Sequence, residues 1–223
     1  MKVFFATPVL GEPVVETTNS ISASIRALEG AGVECLPWTP LTGCCYLPIA
    51  RNKLVRQFLE TDATDMVFID GDVGFPPDAV FRLLKHDVDI VAGVYPFKRG
   101  QPGFPVSFVS NGDGRPKVDQ GTGLIEGHYV PTGFMRIKRG VFEKLQGYYP
   151  DLLVEEWRDG EKQEEYLNFF DCRHDPVLAR WFGEDVDFCN KWRAMGEKVW
   201  IEPDITLTHY GKHGWTGNYR AYL

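Results

Sequence analysis

Residues Met66 to Ile69 form an unbroken apolar, β-favouring run that stops at Asp70, Gly71 and Asp72, with Gly74, Pro76 and Pro77 behind them to prevent continuation. Such a run reads as a strand buried on both faces, and its abrupt end places two carboxylates at the carboxyl edge of a sheet. In open α/β sheets that edge is where ligands bind. Carboxylates at i and i+2 around a glycine can turn toward one hard cation, which can in turn hold a diphosphate. The same Asp and Gly residues alone would make an ordinary turn, so the weight of the reading rests on what else the chain carries.

At 223 residues the chain is long enough for one α/β domain with a well-buried core. The 24 basic and 31 acidic residues leave a net charge of −7, which argues against a broad electrostatic footprint for nucleic acid. Seven of the acids lie between Asp151 and Tyr166, a stretch without clear periodicity that reads as a solvated loop. Five cysteines (35, 44, 45, 172 and 189) match neither a disulfide set nor a zinc pattern, so reduced thiols are expected. The first apolar run ends at Pro8, too early for a signal peptide, and no run approaches a membrane span. A soluble, cytoplasmic protein is the expectation.

Lys2 to Ala6 reads as the first strand, followed by the loop of Thr7, Pro8 and Val9 at the same sheet edge as Asp70. Thr17 to Ser20 offer N-caps to a helix carrying Ile21, Ile25 and Leu28, and Val33 to Trp38 reads as a second strand. No G-x-G-x-x-G follows the first strand, which counts against a dinucleotide fold. Leu47 to Leu59 is a helix with Leu54, Val55, Phe58 and Leu59 on its buried stripe, and Arg51 and Asn52 near its start are placed to meet an anion. Asp89 to Tyr95 reads as a further buried strand. Pro105 to Ser110, Gly123 to Glu126 and Tyr129 to Val130 read as strands of a smaller sheet. Gly183, Glu184, Asp185 and Asp187 enter a helix whose apolar face is Phe188, Trp192 and Met195, and the last strand, from Ile205, ends at His209.

In this order the strand ending in Asp70 and Asp72, the Gly183-Glu184-Asp185 helix start and the strand-terminal His209 resemble the GT-A fold glycosyltransferases. The likeness is to short, family-2-like enzymes of viral or bacterial type. It is carried by residues 50–56, 68–73, 131–135 and 183–189 and runs from about Lys2 to Tyr219. The resemblance implies an α/β GT-A fold with a mostly parallel central sheet and a smaller mixed sheet. It implies one domain over 1–223, with a nucleotide-binding half (1–100) and an acceptor-binding half (101–223). It also implies a UDP-sugar as the first donor and Mn²⁺ or Mg²⁺ held by Asp72 and His209, with Asp70 beside them facing ribose or sugar; His213 competes with His209 for the metal. A hard cation suits carboxylate and phosphate oxygens and would act as a Lewis acid on the departing diphosphate.

The resemblance further casts Asp185 as the general base of an inverting transfer and Glu184 as the residue that orients the acceptor. Thr7, Pro8, Val9, Arg51, Asn52 and Gly71 would lie at the nucleotide, with Thr132, Gly133 and Phe134 at the sugar and acceptor and Trp215 and Tyr219 as covers or stacking surfaces. The attacking hydroxyl would come from a glycan, a lipid-linked sugar, a protein or a modified nucleobase. Lys98, Arg99, Arg136, Lys138 and Arg139 form a basic group that keeps a DNA acceptor within reach, against the overall acidity. Two rivals stand beside this reading. A sugar-nucleotide pyrophosphorylase needs a basic phosphate loop after the first strand, which Thr7 to Gly11 lacks, and a non-catalytic carbohydrate-binding domain has no use for Asp72, Asp185 and His209 together.

Overall fold

The strand that ends at Asp70 sits inside the main sheet, covered on both faces. The computed structural model describes residues 1–101 and 103–223. In chain order its elements are β1 (Lys2–Ala6), α1 (Val15–Gly30), β2 (Glu34–Cys35), α2 (Leu47–Leu59), β3 (Asp65–Ile69), β4 (Val73–Gly74), α3 (Ala79–Leu84), β5 (Ile90–Ala92), β6 (Ser107–Phe108) and β7 (Ile125–Tyr129). There follow β8 (Phe134–Lys138), α4 (Arg139–Tyr148), β9 (Leu153–Arg158), β10 (Glu161–Leu167), β11 (Arg173–Asp175), β12 (Arg180–Phe182), α5 (Glu184–Ala194), β13 (Val199–Ile201), β14 (Thr206–Tyr210), β15 (Gly214–Asn218) and α6 (Tyr219–Tyr222).

Eight strands form one sheet in the order β2-β1-β3-β8-β5-β13-β7-β6. β1 runs parallel to β2 and β3, and β5 to β13, whereas β3–β8, β8–β5, β13–β7 and β7–β6 are antiparallel. The sheet is therefore mixed, not mostly parallel. A parallel neighbour requires a crossover of a dozen or more residues, usually a helix. Helices α1 and α2 supply such crossovers for β1, β2 and β3, but among the described residues no helix lies between β5 and β8. The strands expected in a separate smaller sheet, β6 and β7, instead extend the far edge of the main one, and the small sheet is the antiparallel β15-β14-β4.

Side chains of β3 alternate between two cores, as strand geometry dictates. Met66 and Phe68 face the cluster built with Leu54, Phe58, Phe142 and Trp192, and Val67 and Ile69 face the one built with Ile21, Leu28, Val80 and Leu83. The hydroxyls read as N-caps of α1 are used otherwise: Thr17 Oγ1 donates to the Val73 carbonyl (2.9 Å), and Phe75 N donates to Ser20 Oγ (3.1 Å). They tie α1 to the chain just beyond Asp72. The acidic stretch is a hairpin, β9–β10, rather than a loop. Asp159 and Gly160 turn it with φ of 53° and 83°, the left-handed pair that an Asp-Gly hairpin turn requires. Its acids are drawn onto α2, where Lys53 meets Glu156 (3.1 Å) and Glu164 (2.9 Å). No helix among the described residues is long and apolar enough to cross a membrane.

Candidate active site

A cleft of about 440 Å³ opens at the carboxyl ends of β1 and β3, walled by Pro8, Val9, Leu10, Cys44, Cys45 and Leu47 and floored by Asp70, Gly71, Asp72, Tyr95 and His209. The β1–β3 pairing puts the loop after Ala6 alongside Asp70, and Gly71 packs so closely on Val9 that an added Cβ would lie 3.0 Å from Val9 Cγ2. His209 arrives from the far end of the chain through β14, which pairs with β4 so that His209 stands opposite Val73 and Tyr210 N donates to the Asp72 carbonyl (2.8 Å). His209 Nε2 lies 3.4 Å from Asp72 Oδ1, while its Nδ1 is 2.9 Å from the Pro96 carbonyl. Lys98 donates to the other Asp72 oxygen. Burial alone would raise the Asp72 pKa, but the contacts with His209 and Lys98 prevail and lower it.

Asp70 faces a different partner. Arg51, 2% exposed, donates from Nη2 to Asp70 Oδ1 (2.9 Å) and from Nε to Glu184 Oε1 (3.2 Å), and its guanidinium lies over the Phe68 ring. Burial works against the Arg51 charge, but the two carboxylates more than compensate and raise its pKa. The Tyr95 phenol sits 3.5 Å from Asp70 Oδ2. Burial raises its pKa well above the ordinary value, helped by the charges of Asp70, Asp185 and Asp72, all of which it senses.

Asp185 lies in the first turn of α5, where Oδ1 accepts from Val186 N (2.7 Å). Burial, and then the negative charge of Glu184, push its pKa from 3.8 up to about 6, although Arg51 pulls the other way. A carboxylate held near that value is ionised at neutral pH yet basic enough to take a proton, the property asked of a general base.

Gly133 completes the floor. A Cβ there would lie 2.3 Å from Asp70 Oδ2 and 2.6 Å from the Tyr95 hydroxyl. Asp70 is pinned by Arg51 and cannot step aside freely. Gly133→Ala is therefore expected to cost about 1–3 kcal/mol in thermal or urea unfolding, whereas Gly140→Ala, in helix α4 with open space around its Cβ position, is expected to be neutral or slightly stabilising.

Several expected contacts lie elsewhere. Thr7 is fully buried with its hydroxyl accepting from Trp38 Nε1 (3.0 Å), so of the first loop Pro8 and Val9 reach the cleft. Asn52, 1% exposed, is locked to Asn168 Oδ1 and to the backbone of Phe170, which makes it a structural clamp and not a nucleotide contact. Arg51 likewise acts inside the site, not at a solvent-facing helix start. Phe134 is buried against Phe75, and Tyr219 against Phe104, so neither offers a stacking face. His213 is exposed and rests on Trp215. The basic group is dispersed: Arg136 is fully buried and donates to the carbonyls of Leu83, His86 and Val88, and Arg139 to those of Phe58, Leu59, Thr61 and Ala63. Lys98, expected in a basic group for an acceptor, instead stands on Asp72, and Tyr95, expected only as the end of a strand, lies on the floor of the site.

No protein-family model and no curated protein matches the chain. Among solved structures it is similar to A197 from STIV, with a TM-score of 0.54 at 18% identity over 95% of this chain and 86% of that one. It is also similar to GalNAc-T7, crystallised with UDP, GalNAc and Mn²⁺, with a TM-score of 0.50 at 13% identity over 93% of this chain and 43% of that one. The fold is GT-A. A GT-A domain implies a divalent cation at its Asp-x-Asp, and the donor set can be tested against one. No group of three or more acidic, His or Cys side chains gathers around a single point among the described residues. Asp72 and His209 offer one carboxylate and one imidazole facing each other, while Asp70 Oδ1 is already taken by Arg51. Two protein ligands suit Mg²⁺ or Mn²⁺, which complete their shells with phosphate oxygens and water. The residues fit a cation that arrives with a diphosphate, with Asp70 outside its protein ligand set.

Proposed function

We propose that this chain is a metal-assisted glycosyltransferase that uses a nucleotide-diphosphate sugar, UDP-sugar foremost, and transfers the sugar with inversion to an acceptor hydroxyl. One observation supports the reading: Asp72 pairs with His209, His209 packs on the Tyr95 ring (4.7 Å between centroids), and the buried Tyr95 phenol senses the charges of both Asp72 and the raised-pKa carboxylate Asp185. The similarity to GalNAc-T7 makes UDP and Mn²⁺ the first probes to use.

Pro8, Val9 and Leu10 would flank the nucleoside, and Asp72 and His209 would hold the cation at the diphosphate. When bound, the cation supplies neutralisation of the departing diphosphate. Asp185 accepts the acceptor hydroxyl's proton on a carboxylate oxygen as the oxygen bonds to the anomeric carbon and the carbon–phosphate-oxygen bond breaks. Glu184 is committed to Arg51, so its part is to hold Arg51 and keep the Asp185 pKa high, not to exchange protons. Dispersal of Arg136 and Arg139 onto backbone carbonyls weakens the support for a DNA acceptor.

Calorimetric titration of UDP with and without MnCl₂ tests the reading without an acceptor. Binding in the micromolar range that needs the metal, and is weakened at least tenfold by Asp72→Ala, is expected. Binding that is indifferent to metal, or none for UDP, GDP, CDP or TDP, would overturn it.

A further inference from the structure

Asp72 and His209 face each other on the floor of the cleft, with His209 Nε2 3.4 Å from Asp72 Oδ1. A carbonyl can only accept, so the His209 Nδ1 that contacts Pro96 O at 2.9 Å donates, which turns Nε2 toward Asp72. The cation that stands on Asp72 is the Lys98 ammonium, bonded to Oδ2. Lys98 is not a stray surface lysine. Its chain segment is tied down by Pro96 O to His209 and by Phe97 N to Gly103 O (2.9 Å). Its stem passes Gly211, where an added Cβ would lie 3.4 Å from Lys98 Cδ. The side chain keeps about a third of its surface in solvent (32%), so the ammonium can swing while its root stays at the cleft.

We propose that Lys98 is a stand-in cation for the metal site, which balances Asp72 before the nucleotide binds, yields that carboxylate to the divalent ion, and transfers to the diphosphate. The inference rests on the function proposed above and adds to it an order of binding. A divalent ion alone must push an ammonium off Asp72 with nothing to receive it. The same ion arriving with a diphosphate brings the anion that the ammonium needs. Lys98 therefore couples metal and nucleotide, so that each raises the affinity of the other, and by linkage the two factors are equal.

Titration of MnCl₂ alone, and of UDP at saturating MnCl₂, into the natural chain, Lys98→Met, Lys98→Gln and Lys98→Arg tests this. Thermal melting of each variant verifies folding. The two neutral variants are expected to bind Mn²⁺ alone about three- to tenfold more tightly than the natural chain, to bind UDP with Mn²⁺ more weakly, and so to lose most of the coupling; Lys98→Arg retains it. Neutral variants that bind Mn²⁺ alone no more tightly than the natural chain would overturn the role of Lys98. If the natural chain binds UDP with Mn²⁺, and Asp72→Ala does not, that result leaves the glycosyltransferase reading intact. If the natural chain binds no nucleotide under any condition, both fall together.

Discussion

Replacing Asp185 with asparagine is expected to lower the turnover number by about 10²–10⁴-fold, once a donor and acceptor are in hand, and at the same time to make the protein more stable at neutral pH. Both effects come from one cause. Asp185 sits half-buried beside Glu184, so its carboxylate is held ionised at a cost, and its pKa stands at about 6 in place of 3.8. An acid whose folded pKa is raised stabilises the fold when protonated, fully so below the unfolded value, and loses that contribution as pH rises through the folded value. Asparagine removes the penalty while its side-chain oxygen still accepts from Val186 N. The gain should be absent below about pH 4, grow between about pH 4 and 6, and reach about 1–3 kcal/mol above that, read as a Tm difference across a pH series. Activity of the natural chain should fall on the acid side with a midpoint near the Asp185 pKa. A variant that loses activity without gaining stability at high pH would remove the argument that Asp185 is a strained base.

Arg51→Met is expected to destabilise the fold by about 3–5 kcal/mol in urea unfolding, a large share of what a domain of this size has. The guanidinium is the charge that compensates Asp70 and Glu184 at 2.9 and 3.2 Å, and it is almost wholly buried. Its loss leaves carboxylates from β3's end and from α5 facing each other without a cation. Because Arg51 also lowers the Asp185 pKa, the variant should shift the acid limb of any residual activity to higher pH. Replacing the exposed Lys85 by Met, by contrast, should change stability by less than about 1 kcal/mol, since its ion pair with Glu202 is long (4.0 Å) and Glu202 keeps His86 at 2.7 Å.

Much of this architecture is legible in the chain itself. Lys2–Ala6 and Leu47–Leu59 occur with the bounds that their apolar patterns predict, and the run into Asp70 is a buried strand. Each is decided by local periodicity, which survives whatever packs on it. The carboxylate motif at that strand's end and the acidic start of α5 were equally readable, because strand ends and helix starts are marked by the residues that make them. What local pattern could not tell is which charges meet. Glu156 and Glu164 looked solvated until the β9–β10 hairpin laid them on Lys53 of α2. Only its Asp159-Gly160 turn announced the hairpin.

The residue types of the site and their order along the chain were set by the sequence alone: two carboxylates after β3, an acidic pair opening α5, and a histidine closing a late strand. The sequence named His209 with His213 as its competitor, and the β4–β14 pairing sets the His209 imidazole against Asp72 and leaves His213 exposed. The burial of Arg51 between Asp70 and Glu184, the removal of Arg136 and Arg139 onto backbone carbonyls, and the placing of Lys98 on Asp72 came the same way. A side chain's polarity is a property of the residue, but its partner, and with it its charge state and chemistry, depends on what distant chain segments bring within about 3 Å, the range over which hydrogen bonds form.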